Sequence, residues 1–211
     1  MASLNEELKN ALTELRKESK ERKFEQTVDL IINLQKYDVK KNPLNLFINV
    51  PHKIKDKKIA GFLEIKNKNI DTITGSEFVL YKDKKDVKKL VDKYDFFVAQ
   101  ASLMPKVAST FGKVLGPAGK MPSPQLGIMM NADDKTIEDL KNKLNNNIKI
   151  RLKESSVKIP IGKQSMKDED IIDNILTAYN LVLASMPKNK SNIKNIQIKF
   201  TMSKPQKIKL E

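Results

Sequence analysis

A glycine- and lysine-rich run in the middle of the chain, Gly112-Lys-Val-Leu-Gly116-Pro-Ala-Gly119-Lys120, has the residue types that could cradle a phosphate. A phosphate loop does so with backbone N–H groups, and needs Gly five positions before the Gly-Lys pair and Ser or Thr after it. Val114 and Met121 occupy those places, and the dinucleotide spacing G-x-G-x-x-G is absent. What remains is a tight glycine turn able to touch an anion; a nucleotide site is not expected. His52 is the single histidine, behind Pro51 and without a neighbouring Cys or Asp in sequence, which reads as structural. The chain has no cysteine, so disulfides, thiolate chemistry and cysteine zinc sites are excluded. No G-x-S-x-G elbow occurs, and no carboxylate pair stands out. Catalysis has no carrier, and neither a metal nor a cofactor is expected.

Charge points to binding instead. The 211 residues hold 40 Lys+Arg against 26 Asp+Glu, a formal net charge of +14. Internal pairing cannot neutralise that surplus, so a polyanionic partner is favoured. Only Arg16, Arg22 and Arg151 are arginines; the rest of the positive charge is lysine, a point charge suited to phosphates. Two clusters join lysine to apolar and hydroxyl groups: Lys23-Phe24, and Lys199-Phe-Thr-Met-Ser-Lys204. Such groupings suit RNA, which is recognised through backbone, 2′-hydroxyl and stacked bases. Alternation assigns Phe200 to a core and leaves Phe24 open between core and RNA. Met1 to Asn10 is polar, unlike a secretory signal, and no apolar run approaches the ~20 residues of a membrane helix. A soluble cytoplasmic protein is expected.

The elements that must carry these residues fall into two patterns. Ser3 and Glu6 have capping-box spacing, and Leu4, Leu8, Leu12 and Leu15 predict an amphipathic helix to about Lys20. From Phe24 the period becomes two: Phe24, Val28, Leu30, Ile32 and Leu34 on one face, Thr27, Asp29 and Asn33 on the other. Leu46, Ile48 and Val50 predict a second strand. Short units then follow: a strand at 59–64, a helix at 86–93, a strand at 96–99, a helix at 104–115, a loop at 116–124 and a helix at 135–144. This alternation predicts a small α/β unit with a mainly parallel sheet. Strands at 148–152 and 157–161, a helix at 168–185 and a last strand through Ile196, Ile198, Phe200 and Met202 return to the first pattern. In that strand Thr201 faces away from Phe200 and Met202. Similar patterns at both ends, with a different one between them, suggest an inserted domain. Segment 56–151 carries 18 basic and 12 acidic residues, net +6, so charge is not confined to one domain.

The stretch Leu103-Met-Pro-Lys-Val107, followed by Gly112-Lys-Val-Leu-Gly-Pro-Ala-Gly-Lys-Met-Pro-Ser-Pro124, resembles the signature of the ribosomal protein L-one family, above all its archaeal and eukaryotic form. Further agreement runs in order through Lys23-Phe24, Thr27-Val-Asp-Leu30, Ile32-Asn-Leu34, Val50-Pro-His52, Ile161-Gly162 and Thr201-Met202, nearly the whole chain. The resemblance implies an α/β protein of two domains. A split α+β domain with an antiparallel sheet would take 1–55 and 152–211 and bind most of the RNA. An inserted Rossmann-like α/β domain would take 56–151. It implies a non-enzymatic constituent of the large ribosomal subunit. This protein would bind large-subunit rRNA to form the mobile stalk near the tRNA exit site, associate with the ribosome in the cytoplasm, and be monomeric when free. Repression of its own mRNA and contact with exit-site tRNA are further implications. A small Rossmann-type enzyme is the competing class, disfavoured by the broken loop motifs. Carried over by position, the RNA surface comprises Lys23, Phe24, Thr27, Thr201 and Met202, with Lys158 and Lys163 near it. Ser203 stands there too, where the family usually shows Gly, and Asn195 where it usually shows Ser.

Overall fold

The computed structural model describes residues 2–208 apart from 20, 21, 40, 43, 82, 125, 131, 132 and 153. In chain order the elements are α1 (Ala2–Glu18), β1 (Thr27–Leu34), β2 (Asn45–Asn49), β3 (Ile59–Phe62), β4 (Asp71–Ile73), α2 (Lys84–Lys93), β5 (Phe96–Gln100), α3 (Met104–Ala118), β6 (Ile128–Met129), α4 (Asp134–Asn146), β7 (Asn147–Arg151), β8 (Ser156–Lys163), α5 (Asp168–Ala184), β9 (Ile193–Phe200) and β10 (Gln206–Ile208). The Ser3 side chain of the expected capping box and Lys20 lie outside the described residues. Contacts divide the chain into two compact units, Met1–Ile54 with Asn146–Glu211, and Lys55–Asn145. The second crossing falls before β7 because β7 pairs antiparallel with β2, Ile48 opposite Ile148.

In the first unit, β1 is the second strand from one edge of a sheet ordered β10-β9-β1-β8, all pairs antiparallel. Its burial alternates strictly: Val28, Leu30, Ile32 and Leu34 are inside, and Thr27, Asp29, Ile31 and Asn33 are half-buried on the outer face. Leu8, Leu12 and Leu15 of α1 join Ile171, Ile175 and Val182 of α5 in the same core, so the leucine spacing of α1 is a packing stripe. Asn174, fully buried, holds the turn after β2. It accepts the His52 N–H at 3.0 Å and donates to His52 O and Ile161 O, both at 3.0 Å. The imidazole lies 3.6 Å from Asp170 and 3.4 Å from Asp173.

The second unit is a four-stranded sheet ordered β4-β3-β5-β6 with parallel pairing throughout. Parallel sheets need cover on both faces, and two separate cores supply it. One packs α2 and α3 around Phe62, Phe97 and Phe111; the other sets Ile137 and Leu144 of α4 against Val98 and Leu63. The expected loop at 116–124 begins later than its composition suggests. Helix α3 runs on to Ala118 with Pro117 in its last turn, and Gly119, at φ 71°, ends it. The Gly119 N–H donates to Gly116 O and the Lys120 N–H to Leu115 O, both at 3.0 Å. A left-handed residue there is a glycine role.

Lys120 is the residue a phosphate loop would have used. Its Nζ donates instead to Val91 O at 2.6 Å and Tyr94 O at 2.9 Å, satisfying the last carbonyls of α2. The glycine-lysine signature therefore ties α3 to α2. Lys120→Met keeps the aliphatic stem and removes both bonds. We expect it to lower the unfolding free energy of the protein by about 1.5–3 kcal/mol. A urea titration giving the wild-type midpoint would show that the lysine is dispensable to this unit.

Candidate nucleic-acid interface

Thr27 begins β1, and everything at that end of the sheet is set by its pairing. Lys163 stands opposite it on β8. The Thr201 N–H donates to Thr27 O at 3.1 Å, and the Thr27 N–H donates to Thr201 Oγ1 at 3.0 Å. Strand β9 stops at Phe200, because the chain must reverse to bring β10 back along it, Gln206 opposite Ile198. The reversal is closed by the Ser203 N–H on Phe200 O at 3.1 Å and by the Phe200 N–H on Ser203 Oγ at 2.9 Å.

This turn corrects the expected alternation. Phe200 is fully buried, as expected, but Met202 is 60% exposed rather than on its face. Phe24 lies before β1 instead of opening it, and is 50% exposed. Thr201 is exposed, as expected, yet its hydroxyl is held by backbone and does not project freely. Ser203 lies outside the left-handed region, so a glycine is not needed there. Asn195 is at the other end of β9, where its Oδ1 accepts from Asn33 Nδ2 at 2.7 Å.

Lys23, Phe24, Thr27, Lys163, Thr201, Met202 and Ser203 thus meet at one end of the sheet. Lys158 does not join them. It lies opposite Ile31, five residues along β8 from Lys163, roughly 16 Å away, and pairs with Glu154 at 3.5 Å.

The groups that position this surface belong to none of the sequence motifs. Gln26, 2% exposed, has the inward parity of Val28 and Leu30, so alternation alone would have flagged a buried amide. Its Oε1 accepts the Met202 N–H at 3.1 Å, and its backbone O accepts the Gln164 N–H at 2.9 Å. Gln164 Nε2 in turn donates to Ser19 Oγ at 2.9 Å. Arg16 donates to Gln164 O and Met166 O, each at 2.8 Å, and to Asp168 Oδ1. That guanidinium is consumed inside the unit. Glu25 accepts from Lys163 Nζ at 2.5 Å and from the Ser165 hydroxyl. Those hydrogen bonds, Lys163 first, hold its carboxyl below the usual carboxylate value. An anion arriving at Lys163 must share it with Glu25. Beside the turn a groove of about 330 Å³ is lined by Glu18, Ser19, Arg22, Gln26, Met202, Ser203 and Lys204.

Exposed Phe24 and Met202, a Lys163 ammonium shared with Glu25 and a backbone-braced threonine turn can take an anionic ligand with apolar faces. Among the described residues no group of three or more His, Cys, Asp or Glu is placed to hold a metal ion. No described helix is long and apolar enough to cross a membrane.

The model of the ribosomal protein L1p/L10e family matches residues 15–204. Three archaeal proteins, each called large ribosomal subunit protein uL1, are similar over nearly their whole length. That of Nanoarchaeum equitans is 35% identical, covering 88% of this chain and 92% of its own. The Pyrococcus abyssi protein is 34% identical and covers 94% of each. The Thermoplasma acidophilum protein is 36% identical and covers 96% of each. The chain belongs to the ribosomal protein L1 family, a family of ribosomal proteins rather than enzymes.

The two phenylalanines give the sharpest check on this geometry. Phe24→Ala should change unfolding free energy by no more than about 0.5 kcal/mol, as for ordinary surface changes. Phe200→Ala, which empties a fully buried site, should cost about 3–5 kcal/mol. Equal losses in denaturant titrations would mean that Phe24 is packed after all.

Proposed function

We propose that the protein is a structural constituent of the large ribosomal subunit, and that it binds large-subunit rRNA through the Thr27 end of its first unit. The observation that carries this is the meeting of Lys23, Phe24, Thr27, Lys163, Thr201, Met202 and Ser203 on one braced edge, with both large apolar side chains turned outward. Lysines take phosphates, Phe24 and Met202 take base or ribose faces, and Glu25 accepts from base amino groups or 2′-hydroxyls. The names of the archaeal relatives support the subunit assignment.

The first unit is then a split α+β RNA-binding domain and the second an inserted Rossmann-like α/β domain. Together they form the mobile stalk near the exit site, where the protein would meet leaving tRNA. Off the ribosome the chain is a cytoplasmic monomer. A copy of the same RNA shape in its own messenger would be held by the same residues, and repression of its own translation would follow.

Two measurements test this. With roughly five lysine–phosphate contacts, affinity for an rRNA fragment should fall about 500-fold between 50 and 200 mM salt. A flat salt dependence would remove the polyanion argument. Secondly, residues 1–54 joined to 146–211 by a short Gly-Ser linker should fold and keep rRNA binding, because every described residue of the first core lies within those two segments. A folded product that ignores the RNA would sink the assignment of binding to this unit.

A further inference from the structure

The hairpin-like ribbon of β2 and β7 is a separate two-stranded sheet, apart from the strands that build the surface above. Leu46, Ile48, Ile148 and Ile150 face the core. The opposite face pairs Asn45 with Arg151, Phe47 with Lys149, and Asn49 with Asn147. Directly opposed residues of an antiparallel pair share a face, so these six form one continuous patch. Neither strand contains an acidic residue. The acid nearest in sequence, Glu154, is engaged by Lys158.

Three features go beyond an ordinary solvated face. Phe47 is on the outer side and only half-buried, with the Lys149 ammonium 5.3 Å from its ring centroid. Lys149 and Arg151 are neighbours two apart on one strand face, about 6.8 Å between Cα atoms. Partial burial first, and the Arg151 charge second, push the Lys149 ammonium below its ordinary value. Arg151 is also one of only three arginines in the chain, and it is exposed. A planar fork, an aromatic ring, an ammonium and flanking amides are the parts that hold unpaired bases: ring and guanidinium stack, cations take phosphates, amides meet base edges.

We propose that the outer face of the β2–β7 ribbon is a second RNA contact, one that takes a short unpaired segment by stacking a base on Phe47 beside Lys149 and Arg151. It goes beyond the rRNA reading of the Thr27 end and shares no residue with it. A paired helix does not suit this face, because its bases are already stacked. The ribbon spans about 17 Å, which limits the segment to a few nucleotides.

The test uses the full chain and a fluorescent single-stranded oligouridine in anisotropy titrations at fixed salt. Phe47→Leu and Arg151→Gln should each weaken binding about tenfold, the scale of one lost base–aromatic stack. Phe47→Tyr should keep wild-type affinity. Lys106→Gln, which removes the same charge from an exposed position on α3, should keep it as well. Thermal melts accompany each variant. If Phe47→Leu loosens the fold, the surface changes Arg151→Gln and Phe47→Tyr, with ultraviolet crosslinking of oligouridine to the wild type, carry the decision. Crosslinks on the peptide containing Phe47 support the contact. No oligouridine binding by the wild type, equal affinity in Phe47→Leu, an equal loss in Lys106→Gln, or crosslinks at Phe24 instead would each overturn it. A parallel titration with a structured rRNA fragment separates this proposal from the first, since either RNA can be lost without the other.

Discussion

The pairing of β1 on both edges is the constraint on which the first unit rests. Its partners, β8 and β9, lie more than a hundred residues downstream, beyond the whole second unit. Bringing such distant segments together loses loop entropy, but that loss grows only slowly with length. The second unit further reduces it by folding around its own two cores. Register is then set by burial. Val28, Leu30 and Ile32 are fully buried, and a slip of one residue would turn all three to the outer face. Because the register is held so firmly, the Thr27 end is also held. Lys163 and Thr201 are delivered to it as neighbours from opposite edges of β1.

The surface at that end is braced by polar groups rather than by packing alone. A buried amide left without partners would be destabilising, so Gln26 has few permitted arrangements. In the one it adopts, its side chain holds Met202 and its backbone holds Gln164. Arg16 fixes the same loop through Gln164 O, Met166 O and Asp168. Glu25 works against simple attraction, since it occupies the ammonium of Lys163. A site built for affinity alone would omit that carboxylate. Under the rRNA reading proposed above, its presence would favour ligands that offer donors as well as phosphates, ribose and base edges over a bare polyanion.

Much of this was legible in the sequence wherever burial enforces a period. The faces of β1 and the inner residues of β9 follow alternation, and the α1 leucines follow helical spacing. The pattern failed where no core enforces it. Phe24 and Met202 carry apolar side chains of the right parity, yet both lie outside the strands, where the ladder no longer sets direction, and Met202 is held by the Gln26 side chain instead. Strands β4, β6 and β10 are two or three residues long and hold too few side chains to show any period. The residue types at the candidate site were visible through family resemblance. Their bracing was not, because Gln26, Gln164 and Ser19 meet only through the tertiary fold.

The distribution of arginine adds a last constraint on how the protein divides affinity from geometry. Lysines are spread over both units and supply charge that is long-ranged and sensitive to salt. The three arginines are each placed where a planar fork has a defined surrounding. Arg16 locks the loop behind the Thr27 end, Arg22 lines the groove beside Met202, and Arg151 stands next to the Phe47–Lys149 pair. A lysine could replace the charge at any of these positions but not the fixed directions of its donors. All three guanidinium forks therefore lie in the first unit, and under the RNA reading proposed above the lysines of both units would draw the polyanion in.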